Sequence, residues 1–525
     1  MKRFLSAMLG AAMLLSLLTG CGGGKDSTSG SGGSDSSNGS SSADSSGGSS
    51  GSGGYKSDLI IGTATDINNL NLQEQQDAAN NIVLKTTHEN LVRFTNEGTC
   101  VPCLATEWEY LDDTHIQFKL VENAHFSTGD PLTAADVKFT YDMAKDSYVS
   151  SVLSNVVSTE VVDDYTVVLE LAKYDNELLP SLASVPVAIQ SKAAYDSGME
   201  NPWYVGSGRY KFDEWVEGQF CRVVKVADYW GDDPGTADSI EFRPYLEASS
   251  RVIALQNGEI DVCIDPPINE LQYLEEDENI TVEEKTGSRL FYFAFNVEKA
   301  PWDNQTLRQA VACAIDRESV LQAAVYGKGT PQTTILNRGL WGFYDDMEGF
   351  DYDVERAKSL MADAGYANGL STTLLIANSA PYTNIAQVIQ ANLKEIGIDV
   401  EIQTVEDATL KTMCKNGEQE LYLWRWNEDS KVDFVYRDLY YTGSGSNYHH
   451  YSDPHVDELV DVVNTEKDEE KRMQAGIELQ EYLVDACPQV PLYIANLVIA
   501  YNKNLTGTLL FPGGNHDWSH AYVAQ

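Results

Sequence analysis

The sequence is poor in basic residues. Its 525 residues include 36 Lys and Arg against 79 Asp and Glu, so the formal net charge is -43. Nucleic-acid binding and adsorption to anionic lipid both depend on Lys and Arg that neutralise phosphate groups. The charge balance therefore argues against both partners and is typical of a soluble, exported protein surface.

Long apolar runs are missing beyond the N terminus. Lys2 and Arg3 precede an apolar stretch over residues 4–18, which is short for a membrane span and typical of an export signal. It ends in LTGC, which resembles a bacterial lipobox, and we expect Cys21 to be the acylated first residue of the mature chain. The alternative is an ordinary signal peptide that happens to precede a cysteine.

The segment after this cysteine contains almost no residue that a folded core could bury. Residues 22–54 are nearly all Gly and Ser, a composition that stays a flexible coil. We therefore predict a signal peptide over 1–20 and a lipidated cysteine with its linker over 21–55. A long tether on a lipid anchor fits the outer face of the cytoplasmic membrane in a Gram-positive-type bacterium.

Cysteine is scarce and scattered. Of the 8 cysteines, only Cys100 and Cys103 are close together, in TCVPC. This C-x-x-C has no second pair and no nearby histidine, so a local disulfide or two buried thiols is favoured over a redox or metal site.

The motifs of common hydrolases are also missing. The sequence has no H-E-x-x-H and no G-x-S-x-G in triad order, so no catalytic residue, metal or cofactor is predicted. A metal site could be formed by His449, His450 and His455 with Asp453, but adjacent residues of a strand point to opposite faces, so no metal site is predicted here.

The apolar pattern that is present indicates an α/β protein. Two stretches place apolar residues on one helix face, and Gly397 follows the second as a helix stop. Residues 398–402 then alternate apolar and polar, as a strand does, so helix, glycine and strand form half of a parallel unit. The helix-face residues are Leu307, Ala310, Val311, Ala314 and Ile315 in one stretch and Ile385, Ile389, Leu393 and Ile396 in the other.

The region between Val92 and about Asn201 differs from the rest. It has short strands such as THIQFKL and TVVLELA, and one helix whose start at Thr133 and Asp136 is typical of a capping box. This indicates an α+β insertion beside the larger lobes.

A series of ordered motifs resembles the family 5 extracellular solute-binding proteins, which are the peptide- and nickel-binding components of ABC importers. The similarity extends from about Asp58 to Ala500. Ser207 and Arg209 depart from the family's G-T-G-P-Y pattern. The motifs are CLATEWEYLDD, FSTGDPLTAADV, GSGRYKF, SRVIALQNGEIDV, APWDNQTLRQAVACAIDRE, YDVERAKSLMADAGY, LKEIGIDVEI and YSDPHVDELV.

The resemblance implies a two-lobed α/β fold of the periplasmic-binding-protein type, with an extra α+β subdomain in lobe 1 and a ligand cleft between lobes. We expect lobe 1 over 56–291, with the subdomain at about 95–203, lobe 2 over 292–489, and a C-terminal return to lobe 1 over 490–525. It also implies hinge closure on a peptide or other small ligand and delivery to an ABC permease with cytoplasmic ATPases. The chain is expected to be monomeric.

The resemblance also implies an acidic residue after a tryptophan that holds the ammonium of a peptide ligand. In LYLWRWNEDSKVDF, the W-x-x-D spacing selects Asp429, with Glu428 and Asp433 as alternatives. Arg425 replaces a small residue and is expected to bind a ligand carboxylate or an acidic neighbour. The predicted contacts are completed by Trp424, Trp426, Asn427 and Gln75, with Gln76 and Asn80 nearby; core packing of the tryptophans is the alternative to a cleft wall.

The function predicted from the sequence is therefore a substrate-binding lipoprotein of an ABC importer for short peptides. The alternatives are an oligosaccharide or nickel-chelate binder of the same type, a tethered exported enzyme, and a surface adhesin or sensor with the same fold.

Overall fold

The computed structural model describes residues 54–74, 78–95, 99–338, 340–344, 346–427, 432–514 and 516–525. Over these residues the strands are β1 (Asp58–Thr63), β2 (Val92–Phe94), β3 (Cys100–Pro102), β4 (Ala105–Tyr110), β5 (His115–Leu120), β6 (Val156–Asp163), β7 (Thr166–Leu171), β8 (Tyr210–Val216), β9 (Phe220–Lys225), β10 (Ser239–Pro244), β11 (Val262–Ile264), β12 (Ile280–Phe295), β13 (Gly329–Pro331), β14 (Leu370–Ala377), β15 (Ile398–Val405), β16 (Leu421–Asn427), β17 (Gln489–Asn502), β18 (Leu505–Thr506) and β19 (Tyr522–Val523).

The helices of the same residues alternate with these strands. They are α1 (Ala78–Thr87), α2 (Ala134–Lys145), α3 (Leu178–Leu182), α4 (Lys192–Asp196), α5 (Ala248–Gln256), α6 (Leu271–Glu275), α7 (Gln305–Ala314), α8 (Arg317–Val325), α9 (Val354–Asp363), α10 (Ala380–Glu395), α11 (Asp407–Lys415), α12 (Val432–Tyr440), α13 (Pro454–Thr465) and α14 (Glu469–Ala486).

The predicted helix, glycine and strand unit is present as α10, Gly397 and β15. The apolar stripe of α10 is buried, and Gly397 has φ +86°, a left-handed conformation that favours glycine at a helix end. β15 pairs in parallel with β14, with Leu370 opposite Ile398. The prediction of a parallel unit is confirmed.

The helix predicted through Ile315 ends one residue earlier. Ile315 has extended backbone, and a second helix, α8, begins after Asp316, whose carboxylate accepts from the amides of Glu318 and Ser319. Ile315 is nevertheless completely buried. The apolar pattern continues across the break because both helices pack into the same core.

The large sheet is built around two long antiparallel strands. Its described strands run in the order β15-β14-β16-β12-β17-β11-β1-β10-β9-β8, with β13 also paired to β17. One half of the sheet pairs with β12 from Arg289 onward, and the other half pairs with β17 at 499–501. Between them the β12–β17 register shifts, from Thr286 opposite Asn496 to Leu290 opposite Ile494. The two halves of the protein therefore meet at this irregularity.

A separate antiparallel sheet, β4-β5-β7-β6, packs under α2 and has its own apolar core. The Asp136 carboxylate accepts from the Thr133 amide at 2.9 Å and from its hydroxyl at 3.0 Å, so the helix start is the one predicted. At the other end of the chain, Trp518 and Val523 pack in the core of β1 and β10.

Candidate ligand-binding site

The junction between the sheet halves is marked by a β12 bulge at residues 287–289. The side-chain amide of Asn337 donates to the Gly287 carbonyl at 2.9 Å, and the backbone amide of Ser288 donates to the Pro512 carbonyl at 3.3 Å. A side chain at Gly287 would meet the Ala495 carbonyl oxygen of the adjacent strand, with 2.4 Å between that oxygen and a Cβ. The junction is thus fixed by close backbone contacts from two loops and β17.

The carboxyl end of β16 lies beside this bulge. Asn427 is opposite Arg289, and Arg425 is opposite Phe291. Because side chains alternate along a strand and directly opposed residues share a face, Arg289, Asn427 and Arg425 lie on one face of the sheet. Arg289 Nε donates to Asn427 Oδ1 at 3.1 Å.

Aromatic rings surround the arginines on this face. Arg425 Nη1 donates to the hydroxyl of Tyr382 at 2.6 Å, and Tyr382 lies in the first turn of α10. The ring of Phe291 is stacked on that of Tyr493, with centroids 4.8 Å apart and planes 8° apart. The Tyr493 hydroxyl is buried, and no group in the described part of the chain is its hydrogen-bond partner. Charge and flat apolar surface therefore occur together here.

Asp265 adds a carboxylate to the charges near the bulge. It follows β11 and has a left-handed φ of 51°. Its side chain is accessible, yet the surrounding protein desolvates it enough to raise its pKa, while Arg289 and Arg251 oppose that shift. Arg251 itself is buried, and its Nη2 donates to the Asp265 carbonyl at 2.7 Å.

The two tryptophans of the predicted site differ in their surroundings. Trp424 is only 6% exposed and belongs to the apolar core, where it stacks on Tyr382 with centroids 6.4 Å apart. Trp426 is half-buried and packs against two apolar clusters. Its indole nitrogen is buried without a hydrogen-bond partner among the described residues. Trp424 thus contributes mainly packing, and Trp426 retains an unused donor.

The other predicted contacts divide into residues placed by the structure and residues outside it. Asn427 is exposed beside Arg289, and Arg425 is partly exposed. Asn80 is completely buried and binds the loop at Asn68 through its own amide. The residues that lie outside the described part of the chain are Gln75, Gln76, Glu428 and Asp429, together with Cys21 and the side chain of Asp433.

The sequence pattern did not predict Arg289, Asp265, Tyr382 or Tyr493 as candidate site residues. Arg289 directly precedes the apolar run LFYFAF, and Asp265 follows a buried strand, so a charge at a strand end was the available indication. Many strands end in a charged residue. Pairings between residues far apart in the chain decide which of these charges lie close together.

The histidines considered for metal binding bind separate partners. His449 Nδ1 lies 2.9 Å from the Tyr422 hydroxyl, and His450 Nε2 lies 2.9 Å from the Cys414 carbonyl. His455 Nε2 is 3.2 Å from Glu478. Within the described ranges, no group of three or more metal-binding side chains occurs. Cys103 is a free thiol, and burial raises its pKa to about 12.

An α/β body whose two sheet halves meet at a charged and aromatic junction has the architecture of a solute-binding protein. The chain belongs to the bacterial extracellular solute-binding proteins of family 5, whose middle-region model matches residues 99–448. This confirms the predicted family, together with the two-lobed α/β fold that has an extra subdomain. Members of the family are extracellular solute-binding proteins rather than enzymes, and they work with ABC permeases.

Known relatives cover nearly the whole chain. The glutathione-binding protein GsiB of Escherichia coli (strain K12) is 27% identical over 482 residues, which are 88% of this chain and 94% of GsiB. HbpA2 from Haemophilus parasuis has a TM-score of 0.81 at 24% identity, covering 89% of this chain and 100% of HbpA2. DppA from Helicobacter pylori in complex with the peptide STSA has a TM-score of 0.76 at 24% identity, covering 90% and 99%.

None of the helices in the described part of the chain combines the length and the apolar character that crossing a bilayer requires.

Proposed function

We propose that this chain captures short peptides outside the cell and delivers them to an ABC permease. The observation that carries the proposal is the junction face, where the guanidinium groups of Arg289 and Arg425 lie among the rings of Phe291, Tyr382 and Tyr493. A peptide offers charged ends and side chains, and this face offers ionic and flat apolar partners for both.

The ammonium end of the peptide is assigned to the acidic segment after β16. Asp429 is the first candidate, and Glu428 and Asp433 are the alternatives. A carboxylate in a closing cleft forms a charge-assisted hydrogen bond with an ammonium group, which contributes about 1.5–3 kcal/mol. Asn427, Trp426, Arg425, Trp424 and Gln75 complete the proposed contact set.

Glutathione is one member of the proposed ligand class. It is a tripeptide with two carboxylates and one ammonium group, and it is the ligand in the name of the E. coli relative. Two arginines on one face suit a ligand with more than one carboxylate. An oligosaccharide and a nickel chelate are the alternative cargoes for the same importer type.

The N-terminal part of the proposal concerns location. We propose lipidation of Cys21, a flexible linker to residue 55, and a monomeric body divided into lobes over 56–291, with its subdomain at about 95–203, and 292–489, with the return over 490–525. The lipid then anchors the chain to the outer face of the cytoplasmic membrane of a Gram-positive-type bacterium.

The ligand proposal is tested by native mass spectrometry of the purified body. We expect bound masses that correspond to short peptides, and thermal stabilisation by tripeptides or glutathione without turnover. Asp429→Asn should weaken peptide binding by about 10- to 100-fold in calorimetry because the ammonium loses its charged partner. Asp363→Asn, at an exposed position of α9, is the matched control. A bound sugar or nickel complex would replace the peptide assignment, and unchanged affinity in Asp429→Asn would disprove the ammonium site.

The anchor is tested separately by labelling growing cells with a clickable palmitate analogue. We expect label on the wild-type chain, and release of an unlabelled chain into the medium for Cys21→Ser, since one acyl-bearing residue supplies the whole membrane affinity. Equal membrane retention of the two chains would contradict the lipid anchor.

A further inference from the structure

Helices α5 and α6 share an exposed apolar face. Ile253 of α5 is 56% exposed and Tyr273 of α6 is 69% exposed, as is Leu246, which lies just before α5. Ser249 Oγ, one turn before Ile253, donates to Glu270 Oε1 at 2.7 Å, so α5 lies against the turn that leads into α6. The exposed apolar side chains therefore form one patch rather than being scattered, and such a patch indicates an interaction site.

This face begins at the edge of the sheet that carries Asp265. β1 pairs in parallel with both β10 and β11, so the carboxyl ends of these strands lie at the same edge. Leu246 follows β10 there, and Asp265, whose charge interacts with Arg289, follows β11. The buried guanidinium of Arg251 joins the two strand ends, since it donates to the carbonyls of Tyr245 and Asp265. The α5–α6 face therefore borders the candidate ligand site.

The half of the sheet that contains β14 to β16 contributes Tyr326 to the same surface. Lys328 Nζ lies 3.7 Å from Glu275 Oε1 of α6 and also contacts Glu284 of β12. Tyr326 is two residues before Lys328 and is 65% exposed. Tyr273 is likewise two residues before Glu275. The surface thus carries one exposed tyrosine from each side of the β12 bulge.

Tyr326 occupies a backbone position that does not suit a tyrosine. It ends α8 in the left-handed conformation, with φ 52°, where glycine is the favoured residue. A bulky residue in this conformation is strained. Because most of the residue is exposed, burial within the chain does not offset that strain, and the ring serves the surface rather than the core.

The charge around this face selects the kind of partner. Residues 245–284 include 11 Asp and Glu and one basic residue, Arg251, which is buried. The exposed carboxylates include those of Glu247, Glu276 and Glu278. Two copies of the chain that met through this face would oppose like charges, so a second copy is disfavoured. A basic segment is favoured, because Arg and Lys bind both to carboxylates and to the faces of tyrosine rings.

From this combination we infer that the α5–α6 face, together with Tyr326, is the docking surface for a basic extracellular segment of the permease. This assignment rests on the proposed function, which supplies the permease as the partner. The carboxylates attract the basic segment, and Ile253 and the two tyrosines supply the contacts that become buried. Because the tyrosines belong to different halves of the sheet, docking depends on the arrangement of the halves.

Uptake of radiolabelled Ala-Ala-Ala by cells of the native bacterium, with the chromosomal gene replaced by each variant, tests the surface. Tyr273→Ala and Tyr326→Gly should each lower uptake at subsaturating peptide by about 10-fold, while the purified variants keep the wild-type peptide affinity in calorimetry. Tyr326→Gly should also melt at or above the wild-type temperature, since glycine suits the left-handed backbone, so a purely structural role cannot explain its loss of uptake. Tyr352→Ala, at an exposed tyrosine before α9, is the matched control and should transport like the wild type.

Charge reversal tests the electrostatic part. Glu276→Lys combined with Glu278→Lys should lower uptake, and the remaining rate should depend less on salt than that of the wild type, because salt screens the attraction of a basic segment. Glu122→Lys combined with Glu160→Lys, at exposed positions of the inserted antiparallel sheet region, makes the same change in net charge and is the control. Equal losses in the two double variants would show that net charge governs uptake and would contradict the docking surface.

Photocross-linking identifies the occupant. Benzoylphenylalanine in place of Tyr273 or Tyr326 should form adducts with the membrane-spanning subunit of the importer, identified by mass spectrometry, and in place of Tyr352 it should not. Adducts with a second copy of this chain would overturn the assignment and indicate self-association.

The docking surface and the peptide function fail in different ways. Wild-type uptake by both tyrosine variants, with normal peptide binding, would disprove the docking surface and leave the peptide function intact. A purified wild-type body that binds no peptide would disprove the peptide function, whereas adducts of positions 273 and 326 with the membrane-spanning subunit would still support the docking surface.

Discussion

At the scale of single residues, the environment of His449 is unusual for a titratable side chain. Its ring is completely buried, stacked on Tyr440 with centroids 5.5 Å apart, and bonded to the Tyr422 hydroxyl. Burial lowers the pKa of His449 from 6.5 to about 3, because the charged imidazolium would lose its hydration. The ring is therefore neutral in the folded protein.

This environment predicts acid lability. Burial also lowers the pKa values of His88 to about 4 and of His516 to about 3. Between pH 6.5 and about 4, these three histidines bind protons in the unfolded chain but not in the folded chain. The free energy of unfolding therefore decreases as the pH is lowered through this range. Each histidine contributes about 1.4 kcal/mol per pH unit to that slope. Buried Glu89, whose pKa is raised to about 7 by desolvation, acts in the opposite direction between pH 4.5 and 7.

The variant His449→Phe tests the assignment. Phenylalanine keeps a flat ring against Tyr440 but cannot bind a proton, so the fall of unfolding free energy between pH 6.5 and 4.5 should become shallower by about 1.4 kcal/mol per unit. At pH 8 the variant should be less stable, since it lacks the hydrogen bond to Tyr422. Urea unfolding at four pH values measures both effects, and an unchanged slope would contradict the buried neutral ring.

At the scale of helices and strands, local patterns predicted much of the fold. The stripe of α10, the stop at Gly397 and the alternation of β15 follow from contacts within about twenty residues, and all three are present. The predicted end of α7 was wrong by one residue. Ile315 is buried and so continues the apolar pattern, but Asp316 supplies the N-cap that starts a new helix.

The candidate site was only partly predictable because local sequence patterns do not give the order of strands in a sheet. The segment around Arg425 could be selected because its tryptophans and charges are adjacent in sequence. Arg289 joins it through the β12–β16 pairing, and Tyr493 joins through β17, so both depend on strand order rather than on local pattern. Periodicity gives the face of a residue along its own strand but not the neighbour across the sheet.

The β12 bulge makes a prediction at this scale. Gly287 is buried, and a methyl group there would lie 2.4 Å from the Ala495 carbonyl oxygen, which is a backbone atom that cannot rotate away. Gly287→Ala should lower the free energy of unfolding by about 1–3 kcal/mol through overpacking at the junction. Gly445→Ala is the control, because no heavy atom lies within 4 Å of its added carbon. Similar urea midpoints for the two variants would show that the bulge yields to the methyl group.

At the scale of the whole molecule, the inserted antiparallel sheet region contacts α13 and α14 away from the bulge. Asn176 Nδ2 donates to the carbonyls of Val463 and Glu466, at 3.3 Å and 2.9 Å. Arg472 Nη2 lies 3.2 Å from Glu177 Oε1, and both side chains are about nine-tenths buried. Among the described residues, the β12–β17 strands and this polar contact both join the parts of the protein.

Opening of a two-lobed binding protein requires one such contact to break while the other acts as the hinge. If the lobes separate about the continuous β12–β17 strands, the buried Arg472–Glu177 pair is among the contacts that must break. Removing one partner of a buried ion pair leaves the other charge uncompensated, which destabilises the contact by about 3–5 kcal/mol. Glu177→Gln should therefore favour the open form.

Small-angle scattering of the ligand-free protein measures this shift. We expect a larger radius of gyration for Glu177→Gln than for the wild type, and a lower melting temperature, because the guanidinium of Arg472 loses its buried counter-charge. Lys173→Gln is the matched control: Lys173 pairs with Asp461 across the same contact at 3.4 Å, but both side chains are about half exposed. Exposed pairs contribute at most about 1 kcal/mol, so this variant should scatter like the wild type. Identical scattering by all three proteins would show that the contact does not limit opening, and the hinge strands alone would then set the shape of the free protein.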